Sequence, residues 1–351
     1  MPESGPFLLA PLIWPLGHVT TALKKDPNET PRKNHVDRHQ SLSGHMMGAL
    51  SSLRSWMMAY ACMYYLPEKC GLEAYPGFGP GRVYSLDWVS HILIRNIVGT
   101  WIICGFWDWF LYFSPLKDKL HKYKMNPVYP SWNQIKHDAF WTTAASFFGS
   151  LFEIVLCHHW ALGSIPMQKS FSETPILTTV LALGVTHIRT PHFYFVHRMM
   201  HPWKTTSIPD FGKILYKKVH SLHHKSYNPT AWSGTNMHPV EATLYYSAVL
   251  IPVAFGLHPI HAVANIIDLG VAAWLGHDGF QWPGSGDYFH LLHHAHFDCN
   301  YGAMHVPLDL LFGTFAGSKE EVKQIWSNKP SGEENNTTPV HAASKQADKV
   351  M

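Results

Sequence analysis

The spacing of its histidines constrains this 351-residue chain more than any other feature. His220, His223 and His224 stand at i, i+3 and i+4, and His290, His293 and His294 repeat that spacing near the end of the chain. On a helix these positions share one face, so each triplet is expected to aim three imidazoles at one point. Ahead of both, His197 and His201 form an i, i+4 pair. A dry core has no reason to set three imidazoles side by side, because each carries two ring nitrogens to satisfy. The fold is therefore expected to gather three separate stretches around bound metal.

Composition points to a membrane. Charged residues reach only 15% against 46% hydrophobic and 14% aromatic, below the roughly 25% charged that soluble domains carry. The mean hydropathy of -0.08 is held down by 26 histidines and 25 prolines, while the apolar residues are concentrated in segments. A net charge of +3 without a long basic run gives nucleic-acid binding little support. Five scattered cysteines without a CxxC suggest neither a disulfide framework nor a thiolate site. The apolar run Phe7 to Leu16 is broken by Pro11 and Pro15 and lacks a preceding basic region, which argues against a cleaved signal peptide.

Four stretches have the twenty or so residues that a bilayer core requires: His45 to Leu66, Ile92 to Phe113, Ala139 to Leu162 and Thr174 to Val196. Two shorter apolar runs, Leu244 to Leu257 and Ile260 to Leu275, are expected to form a transmembrane or re-entrant hairpin. The expected fold class is all-α, a polytopic membrane protein with about four transmembrane helices, a membrane hairpin and a helical, histidine-rich di-metal cap. Its expected parts are an N-terminal segment 1–45, a transmembrane pair with loops 46–138, a catalytic domain 139–318 and a disordered tail 319–351. Lys and Arg number five in residues 1–45, two in 67–91, five in 114–138 and one in 163–173. That alternation puts both termini and all three histidine boxes in the cytosol. Glycans on the sequons at Asn28 or Asn336 would contradict this orientation.

Imidazoles without thiolates suit Fe, Zn, Cu or Ni, so ligand type does not choose among these metals. Eight exceed what one ion with an open position can use, and they fit two. His238 in NMHPVE and His277 in GHDG are placed to join, the alternative for each being a helix-end or hydrogen-bonded histidine. Glu241, one turn past His238, is a candidate to hold that imidazole as a hydrogen-bond acceptor. Asp278 and Asp298 are candidates for the same role, with a solvated carboxylate as the alternative. His158, His159, His187, His192, His258, His261, His296 and His305 read as interface anchors or structural histidines. Asn300, Tyr301 and Gly302 read as a turn that fixes the third box against the membrane domain.

Taken in order, HRMMH, HSLHH followed by NPTAW and HPVE, GHDG, and HLLHHAHFDCNYG with FGTF resemble the fatty acid hydroxylase / sterol desaturase superfamily. The resemblance covers roughly residues 140–318. Leu308, Asp309 and Leu310 stand where many members carry Trp-Asp-Arg. It implies an endoplasmic-reticulum membrane enzyme holding two Fe ions, using dioxygen and electrons from NAD(P)H through cytochrome b5 and its reductase. As ligands it implies His197, His201, His220, His223, His224, His290, His293 and His294, completed by His277 and His238. GHDG and NYG are most similar to the sterol C-5 desaturase (lathosterol oxidase) branch, which introduces a double bond in the sterol B ring. Hydroxylation of a sterol methyl, a sphingoid base or a fatty acyl chain is the alternative within this chemistry. The alternative outside it is a membrane metal transporter, which would want ionisable groups within the spans, where Asp108, Glu153 and Asp268 are the acidic candidates. The aromatic run at 106–113 reads as an interface belt or as the lining of a sterol cleft.

Overall fold

Residues 36–38, 42–65, 80–203, 208–282 and 287–322 are described by a computed structural model. Most of the N-terminal segment, the tail beyond 322 and both sequons lie outside the described residues. Every regular element among those described is helical, and they include no strand. Helix α1 (Leu42–Tyr60) runs into a π turn over Ala61–Tyr65, and α2 (Leu86–Asp108) into another over Trp109–Phe113. Helix α3 (Trp132–Leu162) starts where Ser131 accepts from the Gln134 amide, and stops at the left-handed Gly163. Helix α4 (Pro175–Met199) has proline at its first position and carries His197 in its last turn.

Two helices among the described residues are long and apolar enough to cross a membrane, Leu86–Phe113 and Trp132–Leu162. Of the four expected spans, α1 and α4 fall short in hydropathy, and the reason lies in what their polar residues do. Arg189 Nε on α4 donates to Asp268 Oδ2 at 2.5 Å. Ser55 on α1 donates to Asp268 Oδ1 at 2.9 Å, and Ser52 to Thr186 Oγ1 at 3.0 Å. These polar groups satisfy one another at the junction of α1, α4 and the later helix that carries Asp268, so they are spared contact with lipid. On α2 and α3, Arg95 meets the buried Glu153 at 2.6 Å.

The expected hairpin is more broken than its hydropathy suggested. After α5 (Phe211–Lys218) comes α6 (Pro239–Tyr246), which passes through a 3-10 turn at Ser247–Val249 into a short α-helical piece at Leu250–Ala254, and then α7 (Pro259–Leu275). The 17 residues of α7 span about 26 Å at 1.5 Å per residue, short of a roughly 30 Å hydrocarbon core. Its apolar residues are instead used for packing, with Ile260, Val263 and Ala264 clustered with Ala59 and Val185. Two short helices complete the cap, α8 (Asp287–His296) and α9 (Leu308–Leu311).

The aromatic run at 106–113 divides by face. Trp107, Leu111 and Tyr112 are buried with Trp274, Phe280 and Trp282, whereas Phe106, Trp109 and Phe113 are exposed. The buried half grips the loop after His277: Tyr112 donates to the Asp278 carbonyl at 2.8 Å, and Trp107 to its carboxylate at 3.2 Å. Gly279 lets that loop pass, since at φ 83° a Cβ would lie 2.6 Å from the Pro229 carbonyl oxygen.

Candidate metal centre

Nine of the ten singled-out histidines converge into two groups. His197, His201, His220, His224 and His293 form one, and His223, His277, His290 and His294 the other, with ligand atoms in each group within 4.8 Å of one another. All are buried except the half-buried His290. Neither triplet aims at a single point, as helical spacing had suggested. Residues His220–Lys225 form a 3-10 helix, in which i and i+3 eclipse. The His220 and His223 rings stack at 5.5 Å, as the His290 and His293 rings do at 5.4 Å, while His220 and His224 share the first group and His223 enters the second. The third box lies on the α-helix α8, where His290 and His294 share the second group and His293 turns to the first. Each triplet thus straddles both groups and ties them together.

Partners on the far side of the rings decide which nitrogen faces inward. His197 Nδ1 donates to the Tyr301 carbonyl at 2.7 Å, His293 Nδ1 to that of Cys299 at 2.7 Å, His277 Nδ1 to that of Ala273 at 2.6 Å, and His223 Nδ1 to that of Asn236 at 3.2 Å. A carbonyl accepts only, so each neutral ring presents an Nε2 lone pair to its group. His220 Nδ1 lies 2.6 Å from Glu241 Oε1. Where it gives that carboxylate its hydrogen, His220 Nε2 faces His197 Nε2 at 3.0 Å with a lone pair on each side. Two such lone pairs repel unless a cation lies between them. Both ring nitrogens of His201 are buried without a hydrogen-bond partner, a costly state that metal ligation relieves at the nitrogen aimed inward. The residues fit a pair of metal ions.

Desolvation keeps these rings neutral, the form that ligates metal. Burial pushes His220 down to about 3 and His277 to about 4. Burial first, and neighbouring imidazoles second, lower His201, His223, His224, His290, His293 and His294 well below the ordinary histidine value.

His238 is not brought to either group. It caps α6, its Nδ1 accepting from the Val240 amide at 3.2 Å, just as His258 caps α7 by accepting from Ile260 at 3.2 Å. The repeated His-Pro at 238–239 and 258–259 was the available signal. Glu241 holds His220 rather than His238, a correction that follows from its position on the buried face of α6. The Asp278 carboxylate contacts no imidazole, and takes bonds from Trp107, Trp282 and the Phe280 amide instead. Asp298 is half-buried in the turn after α8, where its charge raises Tyr216 and Tyr301 after the larger effect of their burial.

Two further buried carboxylates, Asp138 and Asp309, build the loops around the site. Asp138 on α3 accepts from Ser226 at 2.8 Å, Ser233 at 2.7 Å and Asn236 Nδ2 at 3.0 Å. It thereby shapes the loop whose Asn236 carbonyl orients His223. Asp309 accepts from the Tyr301 and Gly302 amides, both at 2.8 Å, and from Thr314 at 2.6 Å, fixing the turn whose Tyr301 carbonyl orients His197. Asn300 sits at φ 56° and bonds both Phe289 and Ala316, so the Asn-Tyr-Gly turn joins α8 to the segment after α9.

Comparison with known proteins agrees with this geometry. The family model described as fatty acid hydroxylase matches residues 181–314, which include all nine converging histidines. A Delta(7)-sterol 5(6)-desaturase of Gibberella zeae is 30% identical over 318 residues, covering 80% of this chain and 92% of that protein. Another from the same organism is 28% identical over 127 residues, 35% of this chain, so that the match spans only 34% of that relative's length. Methylsterol monooxygenase 1 of Gallus gallus is 24% identical over 220 residues, 58% of this chain and 71% of that protein. No solved structure matches the chain.

Proposed function

The chain belongs to the fatty acid hydroxylase / sterol desaturase superfamily, and from that membership we propose that it is a di-iron membrane oxidoreductase that desaturates a sterol at C-5. The observation that carries the metal reading is the convergence of nine buried imidazoles into groups of five and four. Four of them have Nδ1 committed to backbone carbonyls and Nε2 turned inward. His197, His201, His220, His224 and His293 would hold one iron, and His223, His277, His290 and His294 the other. When bound, the pair supplies reduction of dioxygen to water, with electrons from NAD(P)H through cytochrome b5 and its reductase, coupled to oxidation of an unactivated sterol C–H bond.

Around that centre the chain's own groups orient and exclude. Glu241 and the four carbonyls set the ring tautomers, and burial keeps the imidazoles neutral. Tyr216 lies 5.3 Å from the His201 ring and 5.7 Å from that of His224, and Phe297 lies 4.7 Å from His224, so aromatic rings screen the first group from water. Placement in the endoplasmic reticulum, with the histidine groups and both termini cytosolic, belongs to the same proposal and rests on the charge alternation of the loops.

The likeness to methylsterol monooxygenase 1 supports a second reading, hydroxylation of a sterol methyl. A transporter is disfavoured because Glu153 and Asp268 are each committed to an arginine, and Asp108 Oδ1 to the Ala231 amide at 3.0 Å. The test is expression in a yeast strain lacking sterol C-5 desaturase, with sterols read by mass spectrometry and His223→Ala as control. A 5,7-diene formed only by the unmutated protein is the expected result. Good expression without diene overturns the C-5 assignment, and oxidised methylsterols in its place support the second reading.

A further inference from the structure

Helix α5 presents two faces with opposite surroundings. Its inner face seats on the first histidine group: Gly212 is so close that a Cβ there would lie 2.1 Å from the His201 carbonyl oxygen, and Tyr216 packs over His201 and His224. Asp210 fixes the start of the helix by accepting from the Lys213 amide at 2.9 Å and the Trp203 amide at 3.0 Å. On the outer side, Phe211 and Ile214 are exposed, together with Ile208 just ahead of the helix. Lys213, Lys217 and Lys218 are exposed beside them and form no ion pair among the described residues. Apolar side chains flanked by free lysines are the pattern of a helix that lies in the interface of an anionic bilayer.

The location of α5 agrees. On α4, the exposed Phe195 packs against the exposed Phe312 at 5.6 Å, with Leu311 exposed beside them. That exposed apolar cluster, near the end of α4, suits the acyl boundary of a bilayer. His201, on which α5 rests, follows Phe195 by six residues, just beyond the end of α4 at Met199, so α5 sits close to that cluster. Exposed apolar side chains at Ile208, Phe211 and Ile214 flanked by lysines match the acyl and phosphate layers of an anionic bilayer together, so the combined surface favours lipid.

We propose that α5 lies in the headgroup layer of the leaflet beside the histidine groups, Phe211 and Ile214 entering the acyl boundary and Lys213, Lys217 and Lys218 meeting anionic lipid phosphates. This inference is independent of which reaction the metal centre performs. The full chain is reconstituted in nanodiscs of phosphatidylcholine with or without phosphatidylserine, after an environment-sensitive fluorophore has been attached to Ile214→Cys and, separately, Phe211→Cys. Signal from the unsubstituted protein is subtracted to account for its native cysteines. The expected result is blue-shifted emission and quenching by lipid-borne nitroxide near the headgroup, both greater with phosphatidylserine and both reduced by the added changes Lys213→Glu, Lys217→Glu and Lys218→Glu. Lys217→Glu alone, a single change at an exposed position, is expected to give a smaller loss in the same direction. Emission like that of the dye in buffer, indifferent to nitroxide, overturns the proposal. So does a shift that arises only on adding a soluble acidic electron carrier, which would mark α5 as a protein-docking surface.

Discussion

The Glu241 carboxyl group 2.6 Å from His220 Nδ1 controls which nitrogen of that ring meets its neighbours, so a change at Glu241 acts on the proposed metal site through one atom. Glu241→Gln keeps the shape and loses the charge. It is expected to lower metal affinity about tenfold, the smaller end of what removing such a partner costs, read by competitive chelator titration of the purified protein. His238→Ala removes a helix cap and no ligand. It is expected to leave metal stoichiometry unchanged and to cost about 1 kcal/mol or less in thermal unfolding; loss of a metal ion would return His238 to the ligand set. Acid tests the buried rings together. The folded-state values of His220 and His277, about 3 and about 4, lie below the unfolded value near 6.5, so the unfolded chain binds more protons between them. Stability of metal-stripped protein is therefore complete above about pH 6.5 and falls as pH drops toward 4, each such histidine costing about 2 kcal/mol by pH 5. Thermal unfolding across that range checks the slope, and a flat profile contradicts neutral burial. Eight of the nine converging histidines were legible in the spacing of the three boxes, because a ligand side chain announces itself, whereas the lone His277 stood only as a candidate beside them. The groups that orient them were not, since four are backbone carbonyls, of Tyr301, Asn236, Ala273 and Cys299, which any residue type supplies.

At the scale of elements, each triplet divides between the two groups in the same way, i and i+4 in one and i+3 in the other, on two different kinds of helix. The i, i+3, i+4 pattern is identical in the two boxes, yet His220–Lys225 is a 3-10 helix and Asp287–His296 an α-helix. Spacing cannot tell them apart, because the loop after the first triplet is shaped from a distant residue. Asp138 on α3 gathers Ser226, Ser233 and Asn236, while Asp309 gathers the amides of Tyr301 and Gly302. The first supports His223 of the second group and the second supports His197 of the first group. Asp138→Asn and Asp309→Asn are thus expected to weaken different metal ions, and each to cost about 1–3 kcal/mol for the disturbed buried bonds. Metal content by mass spectrometry, with a spectroscopic signature of the remaining ion, separates them. If both variants lose the same ion, the loops do not act on separate groups.

For the whole molecule, the membrane half is held by buried charge as well as by apolar packing, and that bears on how hydropathy is read. The windows at 92–113 and 139–162 became helices apolar enough to cross a membrane. The windows at 45–66 and 174–196 became long helices whose polar residues serve the Arg189–Asp268 network. A linear pattern records that these residues are present but not that they face one another. Arg189 and Asp268 are both buried, joining α4 to α7. Removing one charge leaves the other buried and uncompensated, a loss of about 3–5 kcal/mol, whereas replacing both with apolar residues of similar volume removes the desolvation penalty along with the attraction. Asp268→Leu is therefore expected to lower the unfolding temperature in detergent markedly, and Arg189→Met combined with Asp268→Leu to recover most of it. Because the pair stands outside both histidine groups, the double variant is also expected to keep its metal content and its sterol product. Recovered stability with lost product would give Asp268 a part in function beyond holding α4 to α7, and a double variant no more stable than the single one would mean that the pair does not join these helices.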